Sequence, residues 1–277
     1  MSIKRKVLNI LIRLFKRTIQ KLGGGVGSNI LAHMSGEIIP VITERTDHGM
    51  IHFWCPGTLP VYRAKTLLTK EPETIQWIDN FGKGDVLWDI GANVGVYSLY
   101  TALRGSPVVA FEPSPGNYYL ISKNIEINEM SSDISAYCIA FNDKTRLDYF
   151  YMANMEMGGA LNSFSEAIDQ YGDRYTEYFK QSTVGFSIDE FVEQFNPLFP
   201  NHIKIDVDGL EYEIIQGMSA VLKDSRLKAI MIEINSDISH GAIENIISES
   251  GLVEIMSEQW HGRNSYNKLF TRNLQPE

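Results

Sequence analysis

The sequence predicts an α/β fold built around a doubly wound, mostly parallel β-sheet. Residues 86–90 form a short apolar run that ends in a glycine turn and passes directly into a helical pattern closing at Gly105. Residues 107–111 form a second apolar run, which ends at Glu112 and is followed by another helical pattern. Short apolar runs that alternate with helices are typical of βαβ units, whose parallel strands are buried on both faces.

Composition and charge narrow the class of protein. The 277 residues, 44% of them apolar, allow one large α/β domain and an accessory segment. A formal net charge of −9 argues against a general nucleic-acid-binding protein, and no apolar run approaches the ~20 residues that span a bilayer. Cys55 and Cys138 are too few for a disulfide framework, so we expect a cytoplasmic protein.

The segment 1–24 differs in character from the rest of the chain. Residues 1–22 contain seven basic residues and no acidic one, which leaves the remaining chain near −16. Apolar residues recur at helical spacing from Ile3 to Phe15. The segment therefore predicts a basic amphipathic helix, which either lies on the inner face of an anionic membrane or docks on protein. Arg13 interrupts the apolar stretch, which argues against a signal peptide.

Residues 25–81 predict an accessory unit in front of the main domain. Residues 37–44 and 50–54 have the composition of β-strands, and the turn signal between them predicts a hairpin. Pro72 marks the start of a short helix that we expect to end near Phe81. Residues 82–277 are then the main domain, with residues 141–201 as an insertion on the substrate side.

The glycine turn after the first main strand indicates a nucleotide-like cofactor. A dinucleotide fingerprint needs a middle glycine, so that the backbone can approach a pyrophosphate. Here Asn93 stands between Gly91 and Gly95, and Asp89 adds a negative charge just before the turn. Both features favour a ligand with a cationic end and no phosphate, such as S-adenosylmethionine. Glu112 is suited to accept hydrogen bonds from the ribose hydroxyls of either kind of cofactor.

Four blocks of the sequence resemble the FkbM family of S-adenosylmethionine-dependent methyltransferases. The blocks are DIGANVGVYSL (89–99), AFEPSPGNY (110–118), IKIDVDGLE (203–211) and IEIN (232–235). The resemblance extends from about residue 71 to residue 272. It implies a Rossmann-like class I methyltransferase fold, with a seven-stranded mostly parallel sheet whose last strand is antiparallel. It also implies that the cofactor is held by Asp89, Gly91, Asn93, Gly95 and Glu112.

The resemblance further implies a contact to the adenine ring and a long insertion. In methyltransferases of this fold an acid after the third strand commonly contacts the adenine amino group. Asp143 matches that position, and a solvated turn is the alternative. The insertion is too long for a single crossover helix, and its pattern predicts strands at 147–151 and 183–187 and a helix at 188–195. Residues 158–163, followed by several tyrosines, predict a lid or a substrate wall.

The strand after the insertion is the second candidate centre. It places Lys204, Asp206 and Asp208 on one side, because polar residues interrupt it at alternate positions. A buried Lys204 needs a carboxylate partner, and Glu233 on the next strand is predicted to be that partner. Asp206 lies at the carboxyl end of its strand, where open α/β sheets bind ligands, and is a candidate catalytic residue. Asp208 has an alternative role as the first residue of a capping box.

Oxygen ligands at the same strand ends allow a metal site as an alternative. Asp206, Glu233 and Asn235 together could bind Mg²⁺, which some related natural-product methyltransferases use. Two histidines in predicted loops at this edge, His240 and His261, are candidates for taking the proton of an acceptor. The alternative is that both are ordinary surface residues. His261 is the preferred candidate.

The sequence therefore predicts an S-adenosylmethionine-dependent O-methyltransferase with Asp206 and His261 as its catalytic candidates. The FkbM resemblance implies a hydroxyl acceptor on a sugar, a glycan or a secondary metabolite. One competing class is an NAD-type oxidoreductase or nucleotide-sugar enzyme. Another is a non-catalytic binding protein that residues 1–22 recruit to a membrane.

Overall fold

The computed structural model describes residues 3–23, 25–160, 162–168, 173–239, 241–259 and 264–272. The chain forms two compact units, Met1–Val41 and Ile42–Glu277. The first unit contains two helices, α1 (Ile3–Gln20) and α2 (Val26–Glu37). The sequence predicts α1 but not α2, whose two glycines and two serines obscure the apolar spacing. No helix in the described part of the chain is both long and apolar enough to cross a membrane.

A β-hairpin and two helices precede the main sheet. In chain order they are β1 (Val41–Thr46), β2 (Gly49–Trp54), α3 (Thr58–Lys65) and α4 (Pro72–Asp79). The Thr46 hydroxyl closes the hairpin turn, because it accepts the backbone N–H of His48 and donates to the carbonyl of Gly49. The hairpin and α4 confirm the prediction, and α3 is an additional helix.

The remaining elements follow the predicted alternation of strands and helices. Before the insertion come β3 (Leu87–Ile90), α5 (Val96–Leu103), β4 (Val108–Phe111), α6 (Pro115–Ile127) and β5 (Ile134–Tyr137). The insertion contains β6 (Ala140–Phe141), β7 (Arg146–Met152), β8 (Asn162–Phe164), β9 (Phe179–Phe186) and α7 (Ile188–Phe195). After it come β10 (His202–Ile205), α8 (Glu211–Gln216), α9 (Ser219–Lys223), β11 (Ala229–Asn235), α10 (Ser236–Ser239), α11 (Ala242–Glu249), β12 (Leu252–Gln259) and β13 (Ser265–Arg272).

Seven strands form the main sheet in the order β12-β13-β11-β10-β3-β4-β5. Strands β11, β10, β3, β4 and β5 are parallel, whereas β13 runs antiparallel to both β11 and β12. This arrangement confirms the Rossmann-like class I methyltransferase fold. Because the parallel strands share one direction, β3, β4, β10 and β11 all end at the same edge of the sheet. Lys204 pairs in register with Asp89 across β10 and β3.

The insertion folds into its own four-stranded sheet, in the order β6-β9-β7-β8. Helix α7 has the predicted bounds, and its first turn is capped by the Ser187 hydroxyl, which accepts the backbone N–H of Glu190. The strands predicted at 147–151 and 183–187 correspond to β7 and β9. Both are longer than predicted, because all seven residues of β7 pair with residues 179–185 of β9.

Two apolar cores cover the two faces of the main sheet. One is formed with α7, α8, α9 and α11, and includes Trp88, Ile203 and Ile232. The other contains side chains from the hairpin and α4, which pack with Leu87, Ala110 and Met231 of the sheet. Residues 42–81 supply nine of the 23 buried residues that this second core has in the described part of the chain.

Candidate functional site

The turn after β3 lies tightly against two neighbouring strand ends. The backbone N–H groups of Gly91 and Ala92 both donate to the carbonyl of Phe111 at the end of β4. Gly91 has a φ of +85°, and a Cβ atom there would lie 1.9 Å from the carbonyl oxygen of Asp206. Only glycine fits this position, which brings the end of β10 directly beside the turn.

Glu112 lies behind the same turn and is buried. Its carboxylate accepts the backbone N–H of Asn93 at 2.8 Å and that of Ser114 at 2.9 Å. Burial raises the pKa of Glu112 to about 7, although the hydrogen bonds from Ser114, Asn93 and Asn117 oppose the shift. The structure thus places Glu112 beside the glycine turn, as predicted. Its carboxylate oxygens retain acceptor capacity, since each has two lone pairs.

A cleft opens from Glu112 along the carboxyl ends of β3, β4 and β10. Its empty volume, with the space open to solvent included, is about 580 Å³. Besides polar groups, it is lined by apolar and aromatic side chains, among them Phe111, Ile139, Phe141, Phe150, Phe164 and Leu210. The cleft therefore combines apolar and aromatic side chains with the Glu112 carboxylate, which accepts hydrogen bonds.

Residues 158 and 159 of the insertion close over this cleft. The side-chain amides of Asn93 and Asn117 donate to the carbonyl of Gly159 at 2.8 and 3.1 Å. Arg63 of α3 donates through Nε to the carbonyl of Gly158 at 2.6 Å. The segment that the sequence predicts as a lid or substrate wall is therefore a wall of the cleft. The Oδ1 atom of Asn93 is buried and has no partner among the described residues.

Asp89 is fully buried between the strands. It accepts the Ser98 hydroxyl at 2.5 Å, and burial raises its pKa, against the attraction of the Lys204 ammonium. Asp89 lines a small polar cleft next to the first one, together with Gly91, Lys204 and Asp206. The carboxylate thus faces the turn where we expect a cationic group of the cofactor.

Lys204 is buried and paired, but its partners differ from the prediction. Its ammonium lies 2.9 Å from Asp206 and 3.7 Å from Glu71, and it also lies 4.9 Å from the ring centre of Tyr97. The prediction that Glu233 pairs with Lys204 is wrong. Lys204 is opposite Met231 in the β10–β11 register, so Glu233 lies beyond the end of β10.

Asp206 ends β10 at the edge where the clefts meet. Burial would raise its pKa, but the nearby cations Lys204, Lys70 and Arg63 together outweigh burial and hold the pKa well below the usual range of a carboxyl. Asp206 therefore stays ionised and is a weak base. It lines three clefts around the glycine turn, so it is placed to orient bound groups.

The predicted capping box after β10 is not formed. Helix α8 begins at Glu211 with Leu210 at the N-cap, and no side chain caps it. Instead, the Glu211 carboxylate turns back and accepts the backbone N–H groups of Val207 and Gly209 at 3.4 and 3.2 Å. Asp208 has a φ of +60°. It therefore lies in a left-handed turn and not at the start of the helix.

The proposed oxygen ligands of Mg²⁺ lie near one another but do not make a metal site. Asp206 is bound to the Lys204 ammonium, and Asn235 Oδ1 accepts the backbone N–H of Asp237 at 3.0 Å. Burial, and then the carboxylates of Asp206 and Glu211, raise the pKa of Glu233, which favours a protonated group. Among the described residues, no cluster of three or more acidic, histidine or cysteine side chains could hold a metal. The Mg²⁺ alternative is therefore not supported.

One further predicted site residue is not among those that line the clefts, and another lies outside the described residues. Asp143 forms an ion pair with Arg146 at 2.8 Å. It is not among the residues that line the first cleft, which opens from Glu112. The structure thus gives Asp143 a partner within the insertion, and its contact to adenine stays a prediction. His261 and its alternative His240 lie outside the described residues.

A wider cleft opens from the glycine turn toward solvent, and we call it the mouth cleft. Four residues of the accessory unit line it, namely Leu59, Tyr62, Arg63 and Lys70. They face Asp206 and Glu233, among others, across the cleft. The sequence prediction missed these residues, and also Glu71, which binds Lys70 at 2.6 Å. The apolar spacing within residues 59–67 could have predicted α3. No local sequence pattern indicates, however, that α3 lies beside the end of β10.

Comparison with known proteins supports the methyltransferase prediction. Residues 89–253 match the family model described as Methyltransferase FkbM domain. Hexuronic acid methyltransferase AglP of Haloferax volcanii is 22% identical over 225 residues, which cover 77% of this chain and 82% of that protein. Methyltransferase sdnD of Sordaria araneosa is 24% identical over 163 residues, which cover 51% of this chain and 63% of that protein.

A solved structure with a related architecture is the precorrin-6y C5,15-methyltransferase of Geobacter metallireducens. It superposes with a TM-score of 0.44 at 13% identity, over 76% of this chain and 92% of that chain. The strand order of the main sheet, and not this distant likeness, defines the fold class.

Proposed function

This chain belongs to the FkbM methyltransferase family, and we propose that it transfers a methyl group from S-adenosylmethionine to a hydroxyl of an anionic sugar. The observation that carries the sugar acceptor is the mouth cleft. It opens directly from the glycine turn and presents Tyr62, Arg63 and Lys70. An aromatic ring beside cationic donors suits a sugar ring that bears a carboxylate. The relative from Haloferax volcanii, a hexuronic acid methyltransferase by name, supports the same acceptor class.

The residues around the turn fit the cofactor in three respects. The cradle at Gly91 excludes any side chain, the buried Asn93 Oδ1 is without a partner among the described residues, and Glu112 retains acceptor capacity. We assign the adenine to the aromatic side chains of the first cleft and the ribose to Glu112. We assign the ammonium of the methionine part to Asp89. When bound, S-adenosylmethionine supplies an electrophilic methyl group on its sulfonium.

The chain's own residues act mainly by positioning. Arg63 has five N–H donors, of which Nε binds Gly158 and the others are directed at the acceptor carboxylate in our proposal. Asp206 is ionised, so it accepts a hydrogen bond from the acceptor hydroxyl and orients it. Its low pKa makes it a poor recipient of the proton. The segment at Gly158 and Gly159 is bound by Arg63 and Asn93 beside the first cleft, and in our proposal it shields the bound cofactor from water.

Transfer of a labelled methyl group to defined sugars tests this function. We expect transfer to a glucuronic acid glycoside, and a KM at least about tenfold higher for the matching neutral glucoside, since one charge-assisted hydrogen bond contributes about 1.5–3 kcal/mol. Arg63→Gln should remove this preference. Lys65→Gln is the matched control, because Lys65 lies on the same helix and is exposed. Equal use of both sugars by the wild type would refute the anionic acceptor.

A further inference from the structure

The mouth cleft does not end at Glu233, because a further cleft continues from it. We call this the third cleft, after the first cleft and the mouth cleft. The two clefts share three lining residues, Asp208, Glu233 and Ser265. The third cleft has an empty volume of about 790 Å³ and lies between α8 on one side and α10 and α11 on the other. Together the two form one groove that leads away from the glycine turn. An acceptor larger than one sugar unit would follow this groove.

One side chain beside the third cleft is buried and has an unpaired hydroxyl. Ser239 is among the residues that line the cleft and is only 8% exposed. Its buried hydroxyl has no hydrogen-bond partner among the residues that the structure describes. Buried hydroxyls are nearly always hydrogen-bonded in folded proteins. The Ser239 hydroxyl is therefore available to a ligand that enters the cleft.

The other walls of the third cleft indicate the chemistry of that ligand. Burial raises the pKa of the Glu211 carboxyl to about 7, and burial with nearby carboxylates raises that of Glu233. Near neutral pH these groups include protonated carboxyls, which donate as well as accept hydrogen bonds. The Tyr212 ring and the Ile243 side chain form the apolar part of the wall. Among the described residues that line this cleft there is no basic side chain. A partly apolar surface with such donors and acceptors suits an uncharged, hydroxyl-rich ring.

We propose that the third cleft is a second acceptor subsite, which binds a neutral sugar unit adjacent to the sugar that is methylated. The acceptor is then at least a disaccharide, with its anionic unit in the mouth cleft and its neutral unit against Tyr212 and Ser239. This inference rests on the proposed function, since it requires a sugar in the mouth cleft. It adds that the enzyme selects the reacting sugar by its neighbour.

Calorimetric titration of the S-adenosylhomocysteine-saturated enzyme tests the subsite without requiring turnover. The two probes are a glucuronic acid methyl glycoside and a disaccharide in which the same acid is linked to glucose. We expect the disaccharide to bind at least about tenfold more tightly. Tyr212→Ala should reduce this ratio to near one, and Ser239→Ala should reduce it several-fold. Tyr119→Ala is the matched control, because Tyr119 is half exposed and lines none of these clefts.

The outcomes separate the subsite from the proposed function. Equal affinities of the two probes in the wild type, or no binding of the disaccharide, would overturn the subsite. A tenfold preference that survives in both variants would overturn it as well. Methyl transfer is measured in parallel on the same samples. Tight, Tyr212-dependent binding of the disaccharide without any transfer would support the subsite and count against the proposed reaction.

Discussion

Gly91 is the residue at which the glycine turn is least tolerant of change. Its φ is +85°, and a Cβ atom would lie 1.9 Å from the Asp206 carbonyl oxygen. We expect Gly91→Ala to separate β10 from the turn and to abolish S-adenosylhomocysteine binding in calorimetry. Gly84→Ala is the matched control, since Gly84 has a φ of +80° with nothing within 4 Å. It should cost only the local strain of about 1–2 kcal/mol and leave binding unchanged.

A Gly91→Ala protein with wild-type affinity would contradict the close approach that the structure describes. The melting temperature distinguishes the two ways of losing the site. A large decrease relative to Gly84→Ala indicates that the turn and β10 have separated. An unchanged melting temperature with lost binding indicates that the alanine side chain of the variant itself blocks the cofactor.

Glu112 predicts a pH dependence of cofactor binding. Burial raises its folded-state pKa to about 7, compared with about 4.3 in an unfolded chain. A protonated Glu112 accepts hydrogen bonds from ribose hydroxyls poorly, so cofactor affinity should rise as the pH increases from 6 to 8. The stability of the free protein should change in the opposite direction. The raised pKa of Glu112 adds to the free energy of unfolding. This stabilisation is fully present below about pH 4.3 and is lost as the pH rises through 7.

Calorimetry and thermal melts of Glu112→Gln provide the comparison. Glutamine does not titrate, so the variant should bind S-adenosylhomocysteine at least about tenfold more weakly at pH 8 and with little pH dependence. Glu249→Gln, on an exposed turn of α11, should behave like the wild type. An affinity of the Glu112→Gln protein that matches the wild type at pH 8 would remove Glu112 from the cofactor site.

At this scale the sequence predicts what is local and misses what is distant. Gly91, Asn93 and Glu112 are predictable because a strand, a turn and a helix follow one another in the chain. The burial of Lys204 is predictable from the apolar run around it. Its pairing with Glu71 is not, because Glu71 comes from the accessory unit and its approach depends on how that unit packs on the sheet.

Helix α1 is the element with a predicted partner outside the chain. Its apolar side chains, among them Val7, Leu11 and Phe15, are 50–56% exposed. Residues 1–22 carry seven basic residues and no acid, and each contributes about 1 kcal/mol at an anionic surface. We expect the protein to float with phosphatidylglycerol vesicles at low salt and to remain unbound with phosphatidylcholine vesicles. Deletion of residues 1–22 should abolish flotation.

A paired set of variants distinguishes membrane contact from simple charge attraction. Leu11→Gln and Leu14→Gln together remove apolar area and keep the charge. They should weaken flotation, since burial of apolar surface adds to the electrostatic attraction. Asn9→Gln is the control, because it changes neither quantity. A full-length protein that never floats would assign α1 to another partner.

Helices whose apolar residues recur at a regular helical period are predictable from the sequence. Helices of mixed composition are not. Helix α7 matches its predicted bounds, because its apolar residues recur at strict helical spacing. Helix α2 is missed because small and polar residues interrupt its spacing. The start of α8 is misplaced because the Glu211 carboxylate binds the backbone of the preceding turn. Side-chain competition for backbone N–H groups is decided by geometry that the sequence pattern does not contain.

For the whole molecule, strand order is predictable and the packing of the accessory unit is not. The resemblance to the FkbM family implies the seven-stranded sheet, and the structure has that sheet. The sequence prediction places a domain boundary at residue 81. In the structure, however, residues 42–81 belong to the same compact unit as the sheet. The reason is physical, because the helical crossovers on that face leave apolar area that the hairpin and α4 cover.

The packing of residues 42–81 predicts the outcome of two truncations. Seven large side chains from this segment are buried in the core, namely Ile51, Phe53, Leu67, Ile75, Trp77, Ile78 and Phe81. At about 1.5–3 kcal/mol each, their loss approaches the whole stability of a typical domain, about 5–15 kcal/mol. Removal of Glu71 would also leave Lys204 buried without one of its two carboxylate partners. A chain that begins at residue 82 should therefore not fold, whereas one that begins at residue 42 should. Circular dichroism melts and S-adenosylhomocysteine titrations compare the two. A cooperative melt and cofactor binding by the 82–277 chain would show that the accessory unit is dispensable.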